Sequence, residues 1–218
     1  MAATAATGVH LLRCLERREE VSVPFRHWRL SEVFPASLSL ALVELPFEPA
    51  LAGDSEGRRA TRNHLRQFFA PAVCRRFGAC RAVADGFRDP LVIRRIEELC
   101  GLELRGSFLR IEYCQDGNGF WLEPHTDIGA KLFTMQVYLS PEPEALAWGT
   151  DLLDGKGNLV ESVPAAFNSA LVFVPAADSW HAFRRRPIRG IRRSIIVNYV
   201  KPEWRSRHEL VDPRRPVG

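Results

Sequence analysis

Around Gly106 the hydrophobic pattern of this chain changes period, and few folds accommodate both halves. Before that point apolar residues recur at helical spacing. Leu65, Phe68, Phe69, Val73 and Phe77 mark residues 63–87 as helical, with Pro71 and Gly78 dividing the stretch. DPLVIRRIEELCG (89–101) is better punctuated: Asp89 can cap, Pro90 fits the first helical position, and Gly101 can close the end. After Ser31, EVFPASLSLALVELPF reads as a helix that breaks or starts near Pro35. Residues 1–30 show no sustained period and read as a loose tail, and residues 53–62 as a polar loop.

After Gly106 the runs are short and β-forming: SFLRIEYC (107–114), KLFTMQVYLS (131–140), ALVFVP (170–175) and RRSIIVNYV (192–200), with briefer ones near 159–163 and 180–183. QDGNG (115–119) and DGKGN (154–158) separate them, since Asp-Gly and Asn-Gly favour positive φ. Strands that follow helices, without alternating with them, predict a β-sandwich or barrel backed by helices. The expected organisation is a single domain over residues 1–218. It has a helical part (1–105), a β core (106–200) and a polar tail (201–218).

A composition of 46% hydrophobic and 26% charged residues is that of an ordinary globular protein, with disorder not expected outside the ends. The net charge of +4, carried mostly by arginine, is compatible with an anionic partner, but so small an excess reads as an ordinary basic surface. Nucleic acid is not an expected partner. The five cysteines (Cys14, Cys74, Cys80, Cys100, Cys114) form no CxxC pair, which disfavours a disulfide framework or structural zinc. The apolar runs at 38–43 and 170–177 are too short to span a bilayer, and no basic segment leads into an apolar stretch at the N-terminus. No membrane association and a cytoplasmic location are the expectations.

The chemically informative segment is Glu123-Pro124-His125-Thr126-Asp127. Residues two apart on a strand share a face, so His125 and Asp127 can offer an imidazole nitrogen and a carboxylate oxygen to one cation. An HxD alone is common beside acidic turns. Among six histidines, His181 follows the ALVFVP strand and can be brought across a sheet, whereas His208 falls in the polar tail. Two imidazoles and a carboxylate with open positions suit non-haem iron and oxygen chemistry. In GIRRSIIV (190–197), Arg192 and Ser194 share a face. An inward arginine needs an anion: a bound dicarboxylate, or one of the chain's own acids.

With Tyr113 before a Gly-containing turn, FWLEPHTD, Trp148-Gly149-Thr150, LVFVP…WHAF and GIRRS in this order, the chain resembles the Fe(II)/2-oxoglutarate dioxygenases of the prolyl-4-hydroxylase-like group over residues 110–200. Trp148 stands where the family's turn carries its first glycine. The resemblance implies a mainly β fold, a double-stranded β-helix (jelly-roll) core braced by N-terminal helices. It implies Fe(II) bound by His125, Asp127 and His181. Arg192 and Ser194 would hold the distal carboxylate of 2-oxoglutarate, with Tyr113 assisting. The implied reaction is hydroxylation of a C–H bond by O2, with 2-oxoglutarate converted to succinate and carbon dioxide and ascorbate as an accessory reductant. Halogenation is disfavoured, because Asp127 fills the position a halide needs.

A small-molecule substrate is expected ahead of a protein. Prolyl or peptidyl hydroxylation, a cupin-like metal enzyme without co-substrate, and a non-catalytic binding module are the alternatives. Arg184, Arg185, Arg186 and Arg189 offer either a basic rim or a solvated loop, and Trp121, Trp148 and Trp180 either base-stacking or barrel packing.

Overall fold

A computed structural model describes residues 2–49, 66–127 and 129–218, with side chains from Ala6 onward. The expected polar loop at 53–62 and the start of the 63–87 stretch lie outside the described residues.

Eight strands after Gly106 build two facing antiparallel sheets. They are β4 (Phe108–Asp116), β5 (Leu122–His125), β6 (Lys131–Tyr138), β7 (Asp151–Leu153), β8 (Leu159–Ser162), β9 (Ser169–Phe173), β10 (His181–Phe183) and β11 (Arg192–Val200). The larger sheet contains β9-β6-β11-β4 and the smaller one β5-β10-β7-β8, so the chain crosses between sheets at almost every connection. That winding is a double-stranded β-helix, as expected.

Three further strands extend the larger sheet: β1 (Glu19–Val21) and β2 (His27–Leu30) beyond β9, and β3 (Gln67–Phe68) beside β4. The first two correct the expectation of a loose N-terminal tail. Residues 2–16 form helix α1 (Ala2–Glu16), and β2 pairs with β9 from His27↔Phe173 to Leu30↔Ala170. A four-residue strand is too short to show a period, so its pairing partner decides its state.

Alternation on the central strands separates two interiors. Leu109, Ile111, Phe133, Met135, Val137, Ile195, Val197 and Tyr199 are buried in a core shared with the helices. Among the described residues, four helices besides α1 contribute to it or flank it: α2 (Ala36–Val43), α3 (Pro71–Arg76), α4 (Gly78–Arg88) and α5 (Pro90–Cys100). Pro71 and Gly78 do divide the 63–87 stretch, and its described residues before Pro71 include the short β3 in place of helix. The α5 punctuation is as read: Leu91 N donates to Asp89 Oδ1 at 2.8 Å, and Gly101 is left-handed (φ 66°, ψ 42°). The intervening residues of β4, β6 and β11 face the smaller sheet, and the cavity opens there.

All five cysteines are free thiols, and burial pushes those of Cys14, Cys80 and Cys100 up to about 12. No helix among the described residues is long and apolar enough to cross a membrane.

Candidate metal centre

β10 pairs antiparallel to β5 with His181 directly opposite His125, which places the two imidazoles side by side at 4.2 Å between centroids. Asp127 follows β5 by two residues. One ligating atom from each of the three residues lies within 4.8 Å of the others. The three donors are close enough together to share one cation.

The local backbone fixes which nitrogen is offered. His125 Nδ1 lies 2.8 Å from the Glu123 carbonyl, and His181 Nδ1 2.9 Å from the Ser179 carbonyl. A carbonyl accepts only, so each Nδ1 carries the proton and each Nε2 keeps its lone pair. Burial, with the neighbouring His125, lowers the His181 imidazole to about 4 despite the attraction of Asp127. The residue therefore stays neutral at physiological pH.

Burial would raise the Asp127 carboxyl, but Lys131 and His181 outweigh it and hold the group at about 2. Lys131 Nζ donates to Oδ1 and Thr134 Oγ1 to Oδ2, each at 2.6 Å. Two imidazole nitrogens and one ionised carboxylate form a donor set that fits a divalent cation.

The three residues stand on the wall of a cavity of about 570 Å3. Arg192, expected in the site, also lines it. Ser194 lies one layer back: its hydroxyl accepts from Gln136 Nε2 at 3.3 Å, and Gln136 lines the cavity. Tyr113 is a correction. It points from the opposite face of β4 into the helical core, where its hydroxyl donates to the Leu42 carbonyl at 2.8 Å and its ring meets Phe47. The reason is parity. Asp116, opposite Arg192, and Tyr113 are an odd number of residues apart on β4, so the tyrosine faces away from the cavity.

The phenol nearest the site is instead Tyr138 on β6, which donates to Thr150 Oγ1 at 2.9 Å; Thr150 in turn donates to Gln136 Oε1 at 2.8 Å. The sequence signal for this face is the alternation along KLFTMQVY, which sets Thr134, Gln136 and Tyr138 two residues apart.

At the other end of the cavity an ionic cluster had no sequence signal. Arg110 donates to Glu209 at 2.5 Å, to Glu112 at 2.8 Å and to Asn198 Oδ1 at 3.1 Å, while Arg66 grips both oxygens of Glu112. Asn198 Nδ2 continues the chain to Thr134 at 3.0 Å and so to Asp127. Glu209 belongs to the segment expected as a polar tail. That segment is tied down, with Leu210 and Val211 buried and His208 set against Phe68, outside the cavity wall.

The arginine loop is partly structural. Arg184 and Arg186 both converge on Asp151, which is fully buried, and Arg185 lies 6.0 Å from the Trp121 ring.

No family model matches the sequence, and no curated protein matches it either. Solved structures do match. A prolyl-4-hydroxylase from Pseudomonas putida superposes with a TM-score of 0.59 at 16% identity, covering 91% of this chain and 98% of that one. A Trichoplax adhaerens prolyl hydroxylase, solved with a hypoxia inducible factor oxygen degradation domain peptide fragment, gives 0.58 at 15%, covering 92% and 91%. HygX from Streptomyces hygroscopicus, solved with nickel and 2-oxoglutarate bound, gives 0.51 at 13%, covering 80% and 81%. The chain has the double-stranded β-helix fold of prolyl-4-hydroxylases and related 2-oxoglutarate–Fe(II) oxygenases.

Proposed function

We propose that this protein is an Fe(II)- and 2-oxoglutarate-dependent oxygenase that hydroxylates a C–H bond. The observation that carries this reading is the convergence of His125, Asp127, His181 and Arg192 on one cavity. His125, Asp127 and His181 would hold the iron. When bound, iron with 2-oxoglutarate supplies O2 activation coupled to decarboxylation, giving succinate and carbon dioxide.

The protein's own contributions are positional. The Glu123 and Ser179 carbonyls aim the two Nε2 atoms, and Lys131 and Thr134 keep Asp127 ionised and oriented. Arg192, Gln136 and Thr150 offer polar contacts to the co-substrate. Phe120, Leu122, Phe173 and Phe183 form apolar walls that exclude water and leave a reactive site few competing partners.

A cavity of this volume falls in the range of small-ligand sites, which favours a small molecule as prime substrate. Peptidyl hydroxylation is the second reading, favoured by the peptide fragment bound in the Trichoplax adhaerens neighbour. A cytoplasmic setting is consistent with the five free thiols.

The test is succinate formation from 2-oxoglutarate by Fe(II)-loaded protein with ascorbate in air, first alone and then against small molecules and prolyl peptides. Losing a residue that only orients a metal ligand typically costs up to about a hundredfold in metal affinity or activity, so Asp127→Ala should cost at least that much. Metal-loaded protein that neither binds 2-oxoglutarate nor forms succinate from it would refute the reading.

A further inference from the structure

Arg192 reaches the cavity already engaged. On the paired strands β4 and β11 it lies directly opposite Asp116, and its Nη1 donates to Asp116 Oδ2 at 2.7 Å. Its Nε donates to the Trp148 carbonyl at 2.6 Å. The rings of Phe183 and Phe120 lie 4.5 Å and 5.7 Å from the guanidinium carbon. Asp116 is fully buried and is not part of the cavity wall, whereas Arg192 is. The carboxylate therefore stands behind the guanidinium as seen from the ligand space.

Two consequences follow from charge and geometry. A carboxylate arriving in the cavity meets a cation whose charge is already balanced at contact distance. A bidentate grip needs two adjacent guanidinium nitrogens. Nε and Nη1 both have acceptors, so each available fork contains a nitrogen with a prior partner. Gln136 and Thr150, both uncharged, also line the cavity and are hydrogen-bonded to each other.

We propose that Asp116 is a specificity-determining residue that, by neutralising Arg192 from behind, weakens the cavity's selection of a 2-oxo acid by its distal carboxylate. The inference rests on the 2-oxo acid reading above. The protein accordingly accepts 2-oxo acids with an uncharged tail alongside 2-oxoglutarate, and Asp116→Asn restores the preference for the diacid. In that variant the ligand's carboxylate becomes the acceptor that balances Arg192.

The experiment is calorimetric titration of Mn(II)-loaded protein with 2-oxoglutarate and with 2-oxopentanoate, which carries a methyl group in place of the distal carboxylate. A fully available arginine fork discriminates the two by about a hundredfold or more, so the unmodified protein should show a smaller ratio. Asp116→Asn should raise that ratio by about tenfold or more, through tighter 2-oxoglutarate binding with 2-oxopentanoate unchanged. A merely structural role for Asp116 would weaken both acids together.

A ratio above that level in the unmodified protein overturns the proposal, and this arm stands even if the variant fails to fold. So does an unchanged or lower ratio in Asp116→Asn with Mn(II) uptake intact. Binding of neither acid to metal-loaded protein is a different result: it removes the 2-oxo acid reading itself.

Discussion

His181 carries the sharpest pH signature of any single residue in the site. Burial holds its imidazole at about 4, below the ordinary value of 6.5. Between those values the unfolded chain binds a proton that the folded one refuses, so metal-free protein loses stability as pH falls from 6.5 towards 4. The full contribution is present above the unfolded value. At 1.36 kcal/mol per pH unit the loss amounts to about 3 kcal/mol at most. His27, also buried and lowered, adds to it in the same sense. Urea midpoints of metal-free protein should therefore fall across that window, and His181→Asn should flatten the slope while leaving the His27 part. An identical slope in the variant would contradict the assignment. The lowering of Asp127 acts further down, as pH falls from 3.8 to about 2.

Among the elements, the turn into β7 is the least tolerant. Gly149 has an ordinary φ of −79°, so conformational freedom is not what requires glycine there. The requirement is space: a Cβ would lie 1.5 Å from the Val163 carbonyl oxygen, which follows β8. Because Trp148 O is the acceptor for Arg192, the same turn sets the Arg192 end of the cavity. Gly149→Ala should destabilise the fold by about 3 kcal/mol or more and loosen 2-oxo acid binding with it. Thermal melts with and without ligand will show both. By contrast Asp89→Ala, at the start of α5 and away from the cavity, should cost about 1 kcal/mol and leave binding alone.

For the whole molecule, the C-terminal segment closes one end of the β core. Glu209 pairs with the buried Arg110, and Leu210 makes a bridge to the same residue. Glu209→Gln leaves Arg110 to Glu112 and Asn198 and should cost about 2 kcal/mol, read as a lowered denaturation midpoint. Removing residues 201–218 should cost considerably more. It also strips Leu210, Val211 and Val217 from apolar contacts and leaves the cavity short of Trp204 and Glu209.

The change of period at Gly106, the β-runs with their turn residues, and the HxD spacing were legible in the linear chain because each is written within a few residues. So were the Asp89 cap, the Gly101 close and the candidacies of His181 and Arg192. The chain order alone left open what Arg192 would meet, and the register β4–β11 decided that it meets Asp116. Register also turned Tyr113 away from the cavity and Tyr138 towards Thr150. Strand β2 depends on β9, far along the chain, where His27 pairs with Phe173 and Leu30 with Ala170, and the role of Glu209 depends on Arg110, 99 residues away. Local pattern records propensity and periodicity. Which charge neutralises which is a property of distances across the sheets, and only the packed structure sets those.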